Sequence, residues 1–495
     1  MPWRLPGCLG PLDWSCGGSS VCSLGGRMAQ GKGTGPHPVL SPISVPLTGL
    51  DSVFGPIDEE TGTNPWQMHE VRARVREDPT IAVAREQGVN VVILNQYYAP
   101  DVASTGHLLY ELANDLSTNG ERVHVITCRP SYGPPETWQP CPRNEVSPSG
   151  VTVHRMLATR FSKDNLLGRI VNSITFLVPL AARMLFRLKR DEVFLYTTNP
   201  PYLGIVGTMV GFLRRHRYVV LLHDAYPQMA VWVGKIRKGG FIDRIWHLLN
   251  KWMYRRAKET IVLCDAAKDL VCDTYGIDPD RVHVIPNWAD GEFLHPVDKT
   301  TSEFANEHDL VEPYTLLYSG NMGLYYDFDT MLNAATLLKG ENIRFVFVGG
   351  GGVRKRIEEE IEQRELDNAL MFPHQPFDTL NDSMNSCDAS FVTIAHGIEG
   401  ISFPSKLYTS LAVGKVIIAI CEAHSSLRTI VEESGCGVWV ELGDAEGLAR
   451  VIRELAADPE RSRRMGQAAR DLFERDYTLQ ACARKYAVVL DEAQR

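Results

Sequence analysis

The chain lacks the spacings that mark several common kinds of site. It holds 11 cysteines but no Cys-x-x-Cys pair, so neither a zinc ribbon nor a thioredoxin-like centre is indicated. Cys8, Cys16 and Cys22 sit in the N-terminal tail; the other eight are scattered, several of them inside apolar runs as small core residues, and a reducing cytoplasm suits them. No Gly-x-Gly-x-x-Gly follows the first apolar run. Gln96-Tyr-Tyr-Ala-Pro100 stands there instead, which argues against a nicotinamide-dependent dehydrogenase. No Asp-x-Asp motif lies where it could hold a metal. The chain has no excess of positive charge: its net charge of −9 argues against nucleic acid as the main partner. It also lacks a clean apolar run of the ~20 residues that cross a bilayer. Residues 166–188 come nearest, but Arg169, Asn172, Arg183 and Arg187 interrupt them. Residues 1–24 lack a basic segment followed by a continuous apolar core, so no signal peptide is expected.

What is present fits a soluble α/β protein. Its 495 residues, 44% hydrophobic and 22% charged, are too many for one core and imply two or three domains. Residues 1–88 are expected to be disordered or extraneous, rich in Gly, Pro and Ser over 1–65, with a short charged helix within 66–88. Apolar runs and amphipathic stretches then alternate. Strands are expected near 90–95, 123–127, 151–155, 193–197, 218–222, 260–263 and 281–285, with a helix from His107 to Asn119. A second series begins at Tyr314, with strands near 314–318, 343–348, 369–372, 389–394, 416–420 and 437–440. Two consecutive series of this kind imply two Rossmann-like domains facing each other across a cleft. The expected boundaries are 89–290 for an acceptor-binding domain, 291–475 for a donor-binding domain, and 476–495 for a C-terminal helix packing back on the first. The loops after Asn95, Leu222, Tyr318, Val348 and Ile394 would point into the cleft.

Residues 396–420 carry the most chemistry. A loop holding Ser402 and Ser405 feeds a helix that ends at Gly414, and an apolar strand follows at once. A helix N-terminus reached this way offers free N–H groups and a positive dipole end to a phosphate. Lys406 adds a full charge in the first turn, and Glu399 lies just upstream, where it could meet sugar hydroxyls. The combination suits a nucleotide diphosphate carrying a sugar. An ordinary loop-helix-strand of an α/β domain is the alternative.

Six segments, in order, resemble glycosyltransferase family 4, with the GT-B fold, and are most similar to colanic-acid and other exopolysaccharide transferases. They are Tyr97-Tyr-Ala-Pro-Asp101 with Thr105-Gly106, Leu222-His-Asp-Ala-Tyr-Pro227, Val284-Ile-Pro-Asn-Trp288, Tyr318-Ser-Gly-Asn-Met-Gly323, Phe347-Val-Gly-Gly-Gly351, and Pro404-Ser-Lys-Leu-Tyr408 with Ala412-Val-Gly-Lys415. The resemblance implies that Thr105, Gly106 and Asp224 lie on the acceptor side, and that His223 contacts the transferred sugar. Gly320, Asn321, Gly323, Gly350, Gly351, Ser402, Ser405 and Thr409 would bind the donor. His223, Glu399 and Lys406 would form the catalytic set. The chain departs from the family at Thr409, where many members carry a ribose-binding glutamate, and at Met322, Leu324 and Tyr325, where many carry an Arg and a Lys. Glu399 is two residues out of the usual register, and Lys406 would take over neutralisation of the diphosphate.

The activity so implied is retaining, metal-independent and cofactor-free: hexosyl transfer from a nucleotide sugar to a glycan or polyprenyl-linked acceptor. An apolar helix bearing arginines at 166–190, with basic loops at 214–217 and 235–238, suits a peripheral position on the inner face of the plasma membrane. A buried helix with paired ends is the plainer reading. A non-catalytic nucleotide-sugar-binding protein, or an epimerase on the same fold, are the rival functions.

Overall fold

The computed structural model describes residues 88–495, apart from 102, 133, 134, 136, 137, 162–165 and 190. The expected disorder over 1–88 and the short helix within 66–88 therefore lie outside the described residues, save Gly88 itself.

Two sheets organise the chain. The first contains β1 (Asn90–Leu94), β2 (Arg122–Cys128), β3 (Asn144–Val146), β4 (Thr152–Met156), β5 (Val193–Thr197), β6 (Arg217–Leu221), β7 (Glu259–Val262) and β8 (Val282–Val284), in the order β3-β4-β2-β1-β5-β6-β7-β8. Every neighbour pair is parallel except β3 with β4. Helices connect parallel strands and cover both faces, which is why these strands read as unbroken apolar runs. Their side chains still alternate. Val92, Leu94, Phe194 and Val220 face one core. Val91, Ile93, Leu195 and Val219 face the other, which Tyr486 and Leu490 of the C-terminal Leu479–Gln494 helix complete.

The second sheet holds β9 (Tyr314–Ser319), β10 (Ile343–Val348), β11 (Ala369–Phe372), β12 (Ala389–Thr393), β13 (Val416–Ile420) and β14 (Gly437–Val440), all parallel, in the order β11-β10-β9-β12-β13-β14. The chain reverses its lateral direction between β1 and β5 in the first sheet, and between β9 and β12 in the second. Ligands of doubly wound sheets sit at the carboxyl ends of the strands at such switch points. In the second sheet β9 and β12 pair through only two residues each, Leu316–Ala389 and Leu317–Ser390. The two strands part beyond Ser390, and the crevice opens there.

Two expectations need correction. The helix after β1 runs from Ser104 to Thr118 rather than from His107, so Thr105 and Gly106 stand in its first turn and not in a loop. Its N-cap is Ala103, whose side chain cannot cap, so the usual start signal is missing. The strand β3 was not expected at all.

Candidate functional site

Lys406 is the centre of the site. It opens the short Lys406–Ala412 helix, yet its side chain turns inward and is only 2% exposed. Its Nζ donates to the Asn321 carbonyl at 3.2 Å and lies 4.1 Å from the Tyr326 ring and 4.8 Å from the Tyr318 ring. Aromatic faces attract a cation, but no carboxylate pairs with this one among the described residues. Burial pushes its pKa down to about 7. A desolvated ammonium without a counter-ion is a costly arrangement, and an anionic ligand would relieve it.

The two glycine loops at the switch point close around this lysine. Gly320 has φ +124°, and a Cβ there would stand 3.1 Å from Lys406 Cε. Gly320 N donates to Val348 O at 2.9 Å, Met322 N to Gly350 O at 2.6 Å, and Val353 N to Met322 O at 3.1 Å. The loops after β9 and β10 are thereby laced together, and Gly323 closes on the Tyr325 ring. Asn321 is 7% exposed and its Nδ2 has no hydrogen-bond partner. A buried amide donor without an acceptor is rare, and the backbone carbonyl of the same residue is the one that Lys406 Nζ reaches.

Sequence reasoning missed two groups here, a cation and an imidazole. Arg354 donates to the carbonyls of Gly349 and Phe372 and pairs with Glu358 at 2.7 Å, bracing the loop after β10. His374 lies against Gly350, where a Cβ would come within 3.3 Å of its Nε2. Burial and the neighbouring Arg354 and Lys406 charges hold its pKa below the ordinary imidazole value. Arg354 could have been picked out as the cation after the glycine run. His374 comes from the strand end next door and left no such signal.

The facing wall comes from the first domain. His223 and Asp224 follow β6, and both backbone N–H groups donate to Thr198 Oγ1 at 3.3 Å. Burial pushes the His223 pKa down to about 4, against a smaller opposing effect of the Asn287 side chain. It is therefore a neutral hydrogen-bonding ring at pH 7. Burial raises the Asp224 pKa, and a hydrogen bond from Ser402 works against it.

The loop 396–402 joins the walls. Ser402 Oγ donates to Asp224 Oδ1 at 2.7 Å, Ala225 N to Ile401 O at 2.8 Å, and Trp232 Nε1 to His396 O at 3.0 Å. Ser402 thus reaches a residue of the first domain. Ser405 is the N-cap of the Lys406 helix, without a side-chain cap bond. Thr409 Oγ1 donates back to the Lys406 carbonyl at 3.1 Å. Gly106 packs on the backbone of Tyr97 and Tyr98 in its own domain, and its neighbour Thr105 stands half-buried on the same turn.

Glu399 has a second occupation. Its carboxylate accepts from Ser425 Oγ at 2.6 Å and Ser426 N at 3.0 Å, at the start of the Ser426–Ser434 helix. Ser426 Oγ accepts in turn from Ala266 N, at 3.0 Å, in the first domain. A sugar hydroxyl would have to share a carboxylate already serving as a cap. Glu399→Ala should lower stability by about 1–3 kcal/mol, read as a shift of the urea midpoint at unchanged slope. An unshifted midpoint would mean the cap bonds contribute nothing.

Comparison with known proteins agrees with the fold. The family model "Glycosyl transferase 4-like domain" matches residues 105–288, and "Glycosyl transferases group 1" matches 300–472. A Pseudomonas aeruginosa protein named as the glycosyltransferase WbjE is 26% identical over 80% of this chain and 96% of its own length. A protein of Escherichia coli K12 named as the colanic acid biosynthesis glycosyl transferase WcaI is 26% identical over 74% of this chain and 92% of its own. Among solved structures, sucrose-phosphate synthase from Thermosynechococcus elongatus superposes with TM-score 0.64 at 17% identity, over 81% of this chain and 98% of that one. The lipopolysaccharide glycosyltransferase WaaG does so with TM-score 0.58 at 14% identity, over 81% and 99%. Two Rossmann-like domains facing across a cleft, with glycine loops at the switch point, define a GT-B protein. The chain belongs to glycosyltransferase family 4.

Proposed function

We propose that the protein is a retaining transferase. It moves a hexose from a nucleotide diphosphate sugar to a glycan or polyprenyl-linked acceptor in cell-surface polysaccharide synthesis, at the cytoplasmic face of the plasma membrane. The observation that carries the reading is Lys406, a buried ammonium with no carboxylate partner among the described residues, set against two glycine loops and the orphan Asn321 amide. A diphosphate supplies the missing negative charge and the missing acceptor together. Charge builds on that diphosphate as the glycosidic bond breaks, so groups already aimed at it stabilise the transition state, in place of a metal. His223, neutral, holds the sugar by hydrogen bonds from the opposite wall, and Asp224 with Ser402 keeps the walls together. The names of the relatives support the polysaccharide role. An Anabaena protein of similar fold, HepE, is described in complex with UDP and glucose, which makes UDP-sugars the first donors to try.

Thr409 favours a second reading, that of a nucleotide-sugar-binding protein without transfer, because its hydroxyl is turned into its own helix. Thermal shifts with UDP-, GDP-, ADP- and dTDP-sugars, followed by product assays, separate the two. A donor at 100 times its Kd stabilises by about 2.7 kcal/mol. Stabilisation by one nucleotide class together with sugar transfer or slow hydrolysis is the expected result. Stabilisation with no product under any acceptor would establish the binder, and no stabilisation at all would sink both. His223→Ala should lower kcat by about 10–100-fold, the loss of one or two sugar hydrogen bonds, and leave the Kd of the free nucleotide unchanged.

A further inference from the structure

The apolar segment foreseen around 166–190 is one part of a larger surface. The helix Leu166–Phe186 buries Phe176, Leu180 and Met184 in the first domain. Its opposite stripe, Ile174, Val178 and Phe186, is 52%, 64% and 75% exposed. The helix is thus apolar on both sides and satisfied on one. It packs on the helix Leu203–Arg214, which packs on Phe241–Arg256, and all three lie on the same face of the first sheet. The second helix exposes Met209, Phe212 and Leu213, and the third Phe241, Ile242, Ile245 and Leu248, with Leu213 and Leu248 each 67% and Phe241 79% exposed. These outer faces meet, since the Phe212 and Trp252 rings lie 6.4 Å apart and the Arg256 guanidinium sits 4.8 Å from Phe212. A soluble monomer rarely leaves so much large apolar side chain in water over neighbouring elements.

Charge identifies what covers the face. Residues 166–258 contain 16 Lys and Arg against four Asp and Glu, in a chain whose net charge is −9. Among the described residues Arg215, Lys235, Arg237, Lys238 and Arg244 make no ion pair, and all five are exposed. A second copy of this chain would set these like charges against one another, whereas anionic lipid headgroups would neutralise them while the apolar stripes enter the acyl boundary. The face is also tied to the cleft. Trp246, on the inner side of the third helix, stacks on Tyr226 at 5.8 Å and packs on Tyr202 at 4.9 Å, and Tyr226 follows Asp224 by two residues.

We infer that the outer faces of the three helices Leu166–Phe186, Leu203–Arg214 and Phe241–Arg256 together seat an anionic bilayer, holding the acceptor-side loop 223–226 next to the lipid surface. The inference rests on the membrane-facing part of the proposed function, but its test needs no catalysis. The full chain is sedimented with phosphatidylcholine vesicles, with and without phosphatidylglycerol. Binding should require phosphatidylglycerol and fall steeply with salt. Phe241→Ser with Leu248→Ser should weaken it at least about tenfold at unchanged melting temperature. Lys238→Gln with Arg244→Gln, which leaves the apolar stripes intact, should flatten the salt dependence. Wild-type protein that stays in the supernatant with anionic vesicles overturns the inference. So does binding indifferent to both pairs of substitutions, or sedimentation equilibrium showing that the Ser pair dissociates a dimer. Vesicle binding with no sugar transfer would sink the transferase reading and leave this one standing.

Discussion

Lys406→Met should cut sugar transfer by about a thousandfold while raising the melting temperature of the unliganded protein. Both effects come from one side chain. The ammonium is 2% exposed and leans on two tyrosine rings and one carbonyl. Methionine fills nearly the same volume without the charge, so the apoprotein gains what the buried cation had cost. Transfer loses the only full charge that the Lys406–Ala412 segment directs at the diphosphate. The pH dependence follows from the same shift. The folded pKa, about 7, lies below the ordinary 10.5, so between those values the unfolded chain binds the extra proton. Stability therefore rises with pH across that window, and the full penalty is felt below about pH 7. Lys406→Met should remove this rise, as melts at the two ends of the window would reveal. A diphosphate reverses the balance by favouring the charged form. Donor affinity should weaken as pH climbs above 7 in the wild type and stay flat in the variant, with proton uptake visible by calorimetry in buffers of different ionisation heat. Transfer by Lys406→Met within about threefold of wild type would remove Lys406 from the diphosphate site.

How far this site could be read in advance depended on the range of the interactions. Strands buried on both faces advertise themselves: β5 and β13 are apolar nearly throughout and buried at every position, and both were located to the residue. β3 is three residues, Asn144-Glu145-Val146, partly exposed, with no periodic signal. It is held by antiparallel pairing with β4, and Glu145 meets Arg155 at 2.6 Å, tertiary contacts that override local propensity. The same division holds in the cleft. The positive charge of Lys406 and the glycines after β9 and β10 are local features that could be placed from spacing. The seat of the lysine on Tyr318 and Tyr326 joins positions about eighty residues apart, and the bonds from Ser425 and Ser426 to Glu399 depend on how the next helix starts. Neither fact has a signature in either segment alone.

The two loops around Lys406 make the second large effect position-specific. Gly349 has φ +133°, and a Cβ there would stand 2.1 Å from Gly320 O; Gly351 has φ +139°, with Asn321 Oδ1 at 2.4 Å and Met322 O at 2.6 Å. Both φ values belong to a region that residues with a Cβ almost never adopt, at about 1–3 kcal/mol. In both cases the obstacle includes backbone of the partner loop, which cannot swing aside like a flexible side chain. Gly350, between them, is in ordinary backbone conformation and would meet only the His374 ring, at 3.3 Å. Gly349→Ala and Gly351→Ala should therefore lose about 3 kcal/mol or more of stability and abolish the thermal shift with the donor, because spreading the loops also moves Asn321 away from the lysine. Gly350→Ala should melt within a few degrees of wild type and change only donor affinity, since the ring of His374 can turn. The ordering is what the geometry demands: equal effects at all three positions, or a Gly349→Ala protein that melts and binds like wild type, would mean that the loops do not interlock and that the phosphate cradle lies elsewhere.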